Sequence, residues 1–252
     1  GVLSEYDTRD VPVNLGGLNE AISRYRNMNL QVIQKYTVGG GNSQPADSLE
    51  KEKKGGLSGT FSHILEYEKG RRIYEDNAPS VGFYDTIYIS ESFTYDSLYS
   101  SLLKNTLRFD FNTSESAKFQ LGIGFGLLNE QNVFAQIVPA QQAGDDADSL
   151  RWTGSSNALL GRLVNRIGEK FGWHANGKLY FTGLRAGDFE IKGEINKTFN
   201  EGKKESGLTA RGAVRNNSPS WWLNNWGSNH FKWSNDLGRE FKIDIGVTFD
   251  YT

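Results

Sequence analysis

Apolar and polar residues alternate with a period of two through most of the chain, which predicts a succession of long β-strands. Met28, Leu30, Val32, Tyr36 and Val38 share one face, with Asn29, Gln31, Lys35 and Thr37 on the other. Leu57, Phe61, Leu65 and Tyr67 alternate with Ser58, Thr60, Ser62 and Glu66, and Leu103, Leu107, Phe109 and Phe111 with Lys104, Thr106, Arg108 and Asp110. Phe119, Leu121, Ile123, Phe125 and Leu127 then oppose Lys118, Gln120, Gly122, Gly124 and Gly126. The second half repeats the pattern. Trp173, Ala175, Leu179 and Phe181 oppose His174, Asn176, Lys178 and Thr182, and Phe189, Ile191, Ile195 and Phe199 oppose Glu190, Lys192, Glu194 and Asn196. Leu208, Ala210 and Val214 alternate with Thr209, Arg211 and Arg215. Phe241, Ile243, Ile245, Val247 and Phe249 alternate with Lys242, Asp244, Thr248 and Asp250. Weaker strand signals lie at Phe83–Ser90, Ala158–Ile167 and His230–Asn235.

Several of these strands exceed the usual length of about five or six residues and reach the roughly nine to eleven that a tilted strand needs to cross a bilayer. Ser114–Ser116 and Leu184–Gly187 read as tight links, Gly39–Gly56 and Asn129–Gly154 as long polar ones. Short turns at one end and long loops at the other are the outer-membrane arrangement. Residues 1–25 are less regular and are expected to form an N-terminal arm or plug-like segment, or a short helix around Leu18–Tyr25; residues 26–252 are expected to form the β-barrel domain.

Alternation also suits a soluble sandwich, whose core is apolar and whose outside is wet. Here the strands are long, one face is consistently apolar, and the other is dense in charge of both signs. No helix is foreseen that could cover a sheet edge, and a membrane tolerates no open edge. The expected fold is therefore all-β, an antiparallel up-and-down transmembrane barrel with about ten to twelve strands in this chain, complete or as part of a larger barrel.

Composition narrows the chemistry. The 252 residues include 29 glycines, 13% aromatics, only 5 prolines and no cysteine. That excludes thiolate catalysis, cysteine metal sites and disulfides. A net charge of −2 without a basic face gives no reason to expect nucleic acid. His63, His174 and His230 are far apart and lack the spacing of a metal site, and no Gly-x-Ser-x-Gly elbow occurs. No enzyme, cofactor or metal is indicated. Gly122, Gly124 and Gly126 lack the spacing of a dinucleotide fingerprint; they mark either a bend or close backbone approach, or a widened lumen. If the polar face lines a pore, its lining includes Lys104, Arg108, Asp110, Lys118, Gln120, Glu190, Lys192, Glu194, Arg211, Arg215, Lys242 and Asp244. Trp221, Trp222, Trp226 and Trp233, interleaved with Asn224, Asn225 and Asn229, are expected to form an interfacial aromatic girdle or, alternatively, a ligand platform for sugars. Asp47–Ser48–Leu49, Asp96–Ser97–Leu98 and Asp148–Ser149–Leu150 repeat one triplet, read as turn chemistry.

Several segments carry a family resemblance. They are Asp10–Val11–Pro12–Val13–Asn14–Leu15, Arg26–Asn27–Met28–Asn29, Phe61–Ser62–His63–Ile64–Leu65–Glu66–Tyr67, and Arg71–Arg72–Ile73–Tyr74–Glu75–Asp76. Tyr95–Asp96–Ser97, Leu103–Lys104–Asn105–Thr106–Leu107, Gly183–Leu184–Arg185–Ala186–Gly187–Asp188–Phe189 and Asn229–His230–Phe231–Lys232–Trp233 continue it. With these the chain resembles the putative porin family of outer-membrane barrels found in Bacteroidetes. The resemblance implies a Gram-negative outer-membrane location, contact with the lipid bilayer, and passive diffusion of small hydrophilic solutes. It transfers no catalytic residue. Family members are usually longer, and the end at Asp250–Tyr251–Thr252 lacks a closing aromatic signature, which leaves open an oligomeric or envelope-complex partner. The same Asp-Ser-Leu triplets resemble extracytoplasmic O-glycosylation sites of that phylum. The competing functions are a soluble sandwich that binds glycan and a structural barrel subunit of a larger envelope complex.

Overall fold

The computed structural model describes residues 21–39, 57–79, 84–113, 119–137, 149–167, 170–201 and 204–251. The long strands are β1 (Ala21–Gly39), β2 (Leu57–Asp76), β3 (Thr94–Thr113), β4 (Phe119–Ile137), β5 (Ser149–Ile167), β6 (Phe171–Thr182), β7 (Phe189–Glu201) and β8 (Lys204–Asn217). A helical turn α1 (Trp221–Asn224), two short strands β9 (Asn225–Gly227) and β10 (Lys232–Ser234), and the long strand β11 (Glu240–Tyr251) follow. β1 to β8 and β11 make one nine-stranded sheet, each pairing with its sequence neighbour and β11 lying beside β8. Every pairing is antiparallel, so the up-and-down all-β reading holds. Among the described residues β1 and β11 are the sheet's edges.

Register turns the period-two pattern into two continuous faces. Tyr36, Phe61, Phe109, Phe125, Gly161, Gly177, Ile191, Val214 and Ile243 stand directly opposite one another in a row across all nine strands. Beside it run Leu107, Leu127, Leu159, Leu179 and Phe189. These side chains do not form a core. Phe125 is 64% exposed and Ile245 82%, whereas the buried hydrophobic residues among those described are Leu128, Ala158, Tyr180 and Trp221. Contiguous exposed apolar surface beyond a few hundred Å² is not typical of a soluble monomer. A sandwich would lay a second sheet over this face, and among the described residues none does.

Two hydrogen-bonded polar clusters interrupt the apolar face. His63 hydrogen-bonds through Nδ1 with Gln34 Oε1 and through Nε2 with Asn105 Oδ1, both at 3.0 Å. Asn129 Nδ2 donates to Asn157 Oδ1 at 2.7 Å, and Asn157 Nδ2 donates to Thr182 Oγ1 at 2.8 Å. Thr182 reaches this face, against its alternation, because the β5–β6 register shifts between Asn157 and Ala158.

Several expectations are corrected. Residues 84–90 of the strand expected over Phe83–Ser90 form bends and irregular backbone, Phe83 itself lying outside the described residues, and the expected His230–Asn235 strand shrinks to β10. Residues 21–25 belong to β1 and not to a helix. The loop expected over Asn129–Gly154 is mostly strand, since β4 runs to Ile137 and β5 begins at Ser149. The reason is length. A strand of 20 residues, such as β2 or β3, extends roughly 65 Å at about 3.3 Å per residue, about twice the thickness of a hydrocarbon layer. Beyond the apolar band neither face is consistently apolar, so the alternating signal fades while pairing continues. Asp96–Ser97–Leu98 likewise sits inside β3 and not in a turn; Asp47–Ser48–Leu49 and Asp148 lie outside the described residues, as do the tight link Ser114–Ser116, Gly40–Gly56 and residues 1–20. The tight Leu184–Gly187 turn is at the same end of the sheet as the 138–148 connection and the long link 218–239, so connections at that end are not uniformly long.

Candidate functional site

The other face of the sheet holds the charge. Lys104, Arg108, Asp110, Glu190, Lys192, Glu194, Arg211, Arg215, Lys242 and Asp244 all occupy it, as their cross-strand partners require. Gln120 takes the register position opposite Arg166; Lys118 lies outside the described residues. Two adjacent rows cross the whole sheet. One runs Lys35, Ser62, Arg108, Gly126, Leu160, Lys178, Glu190, Arg215, Lys242, and the next runs Thr37, Thr60, Asp110, Gly124, Arg162, Asn176, Lys192, Ala213, Asp244.

In these rows the acids are shared. Asp110 Oδ1 takes Arg108 Nη2 at 2.6 Å and Arg162 Nη1 at 3.4 Å. Glu190 takes Arg215 at 2.8 Å and Lys192 at 2.9 Å. Asp244 takes Arg215, with Lys242 at 3.8 Å. Gly124 explains how arginines two strands apart meet one carboxylate. A Cβ at Gly124 would run into the Asp110 carboxylate and crowd Arg162 Cβ, and one at Gly126 would crowd Arg108. The glycine stripe is thus a gap filled by side chains from the neighbouring strands. At Gly124 what approaches is a carboxylate; at Gly126 a Cβ would strike the Leu107 backbone carbonyl oxygen, the close backbone approach that the bend reading expected.

Towards the end of the sheet that bears the β6–β7 turn, the charged face becomes enclosed. Leu128, Ala158 and Tyr180 form a small buried cluster with Leu160 against it. The turn Gly183–Asp188 folds over this cluster and sends Arg185 inward. Arg185 Nη1 donates to Glu130 Oε2 at 3.2 Å and to the Tyr180 hydroxyl at 2.7 Å, and its Nε donates to Asp188 Oδ2 at 3.0 Å. The Tyr180 hydroxyl donates to Glu130 Oε1 at 2.6 Å, and the guanidinium lies 4.0 Å from the Tyr180 ring centroid. Burial alone would lower the pKa of Arg185, but Tyr180, Asp188 and Glu130 outweigh it and raise that pKa. Gly183 and Gly187 make the turn possible, with φ of 81° and 90°. At Gly183 a Cβ would also strike the Ser155 carbonyl oxygen.

Asp188 also anchors both ends of the link between β8 and β11. Its Oδ1 accepts from Ser218 N at 2.8 Å, Ser218 Oγ at 2.7 Å and Arg239 Nε at 3.3 Å. Between these ends the link crosses the charged face to β4 and β3. Gly227 N donates to Gln136 Oε1 at 2.8 Å. Asn229 is the hub: its Oδ1 accepts from Ile89 N and Ser90 N at 3.1 and 2.9 Å, and its Nδ2 donates to Ser90 O, Phe93 O and Thr94 Oγ1. His230 hydrogen-bonds through Nε2 with Thr94 Oγ1 at 2.8 Å and stacks on Tyr84.

The tryptophans ride on this link, which corrects the expected girdle. Trp221 stacks on Phe134 of β4 at 5.4 Å, and Phe134 is also stacked by Trp152. Phe134 shares the parity of Glu130 and Gln136, so the cluster sits over the charged face and not on the apolar one. Trp222 meets Trp221 and Trp226 edge-on, and Trp226 stacks on Trp233. Their rings serve one another before any ligand. A loop that folds back across a sheet has no period to announce it, so these contacts were invisible to alternation. Arg185, Asp188, Glu130 and Tyr180 were missed too, although the Gly183–Asp188 segment had stood out as a motif.

Comparison with curated proteins and with solved structures finds no match. A family model does match: residues 3–252 fit the one described as putative porin. A long up-and-down sheet, apolar on one side and ion-paired on the other, accords with that match over the whole chain, and the chain belongs to the putative porin family.

Proposed function

We propose that this chain builds the wall of an outer-membrane channel through which small hydrophilic solutes diffuse passively, its apolar face turned to lipid and its charged face to a water-filled lumen. One observation carries this reading: register keeps apolar side chains on one face and charged ones on the other across all nine strands. A lipid-facing stripe removes the cost of exposing Phe125 and Ile245 to water, about 25 cal/mol for each Å² of apolar surface. The polar pairs on the apolar face satisfy one another, as hydrocarbon demands. The reading needs no catalytic group and no cofactor. It also requires β1 and β11 to be joined, to each other or through further strands, because a bilayer admits no open edge.

The test is reconstitution of the full chain in a planar bilayer, with folding monitored by heat-modifiable migration in detergent. Stepwise, ohmic conductance is the expected result. A folded preparation that never conducts would sink the proposal, and a protein that stays monodisperse without detergent would return it to the soluble class.

A further inference from the structure

We infer that the charged face carries an oxyanion-binding subsite formed by Arg108, Arg162 and Lys178, which makes the lumen favour small anions bearing a carboxylate or phosphate group. The inference rests on the channel reading for its access route, but the subsite itself is a matter of local geometry. These three cations line one cavity of about 170 Å³, together with Asn176 and Glu190. At roughly 30 Å³ per water, that space holds a few waters or one small oxyanion.

The charge balance is unlike that of the chain as a whole. Over its full length the protein is net −2, yet in the two rows that pass through this cavity cations outnumber acids seven to three. Each of the three acids is already shared between two cations. Lys178 lies 5.4 Å from the Tyr180 ring centroid and has no carboxylate within 4 Å among the described residues. Glu190, the acid in the cavity lining, is turned to Lys192 and Arg215.

Among the described residues the two guanidiniums also keep donors to spare. Each has five N–H donors, of which Asp110 engages one from Arg108 and one from Arg162. Asp110 therefore holds the two groups side by side without consuming them, across the gap that Gly124 leaves. Planar guanidiniums match the two oxygens of a carboxylate or phosphate, and Lys178 adds a point charge. Rings of arginine and lysine are a known physical route to anion selectivity in pores.

The experiment has two arms, on the intact chain and on its Arg162→Gln/Lys178→Gln and Lys178→Gln variants. The single variant strands no carboxylate among the described residues, because Glu190 opposite Lys178 keeps Lys192 and Arg215, so it guards against misfolding of the double one. In bilayers, the reversal potential in a KCl gradient should show chloride preference. Inorganic phosphate and acetate, added separately to tell the two oxyanion sources apart, should reduce chloride current saturably. Calorimetric titration of the folded, detergent-solubilised protein with the same anions should find one site, weakened about tenfold in the double variant. Conductance without anion preference, and without oxyanion binding, overturns the subsite and leaves the channel reading intact. Binding that is lost in the variants, in a protein that never conducts, keeps the subsite and removes the channel. Unchanged binding or selectivity in both variants overturns the assignment to these residues.

Discussion

The two faces of this sheet are built by different rules. On the apolar face, side chains such as Phe125, Ile191 and Ile245 stand exposed, and their contribution depends on being apolar more than on which neighbour they touch. On the charged face, Glu130, Asp188 and Asn229 are buried and each answers to named partners. One face is redundant and statistical; the other is specific and fails one contact at a time. Under the proposed function a bilayer as solvent would account for the first, since lipid accepts any apolar shape. Desolvation of charge accounts for the second, since a buried carboxylate without its partner is costly.

The sharpest way to break the contrast is Arg185→Ala. It leaves Glu130 with the Tyr180 hydroxyl but no cation among the described residues, removes one of the cations on Asp188, both carboxylates being nearly inaccessible to solvent, and should cost about 3–5 kcal/mol. Urea titration of heat-modifiable migration should show the loss, and an unchanged midpoint would refute the view that this turn locks the wall. The faces can be compared within one strand. Ile245→Arg on the apolar side of β11 should cost about 2–4 kcal/mol of membrane stability near the bilayer midplane, while Thr248→Arg on the charged side should cost well under about 1 kcal/mol. Equal effects at the two positions in folding into lipid vesicles would contradict the assigned orientation. Asn229→Ala unties the 218–239 link from the β2–β3 connection and leaves buried backbone groups unpaired, for about 2 kcal/mol. Limited proteolysis should then cut within 218–239 much faster than in the parent. A small effect is also expected of Phe125→Leu, within about 1 kcal/mol by the same urea titration, because no tight packing surrounds it. A large loss there would mean that something solid covers the apolar face.

How much of this was legible beforehand depended on the kind of signal. Phe119 to Leu127 and Phe241 to Phe249 announce their strands and faces because apolar residues alternate with polar ones or glycine along them. Asn129 to Gln136 belongs to the same strand as the first run, but its charged face is covered by a turn and a link that fold over it and its other face is no longer consistently apolar, so it reads as a loop. The tryptophans were read from composition as a girdle, because nothing in Trp221–Trp233 states which way a connection will fold.

The sequence by itself determined which side chains share a face, since successive residues of a strand must point to opposite sides whatever the strand pairs with. It thereby determined the apolar stripe and the list of charged residues opposite. Only the tertiary structure decided who meets whom on that second face. Arg108 and Arg162 converge on Asp110 because β3, β4 and β5 are in one particular register and Gly124 leaves room between them. Arg185 finds Glu130 across fifty-five positions of chain because the turn folds inward. Alternation is local and survives a shift of partners; ion pairing between strands depends on register, and register is fixed only when the whole sheet assembles.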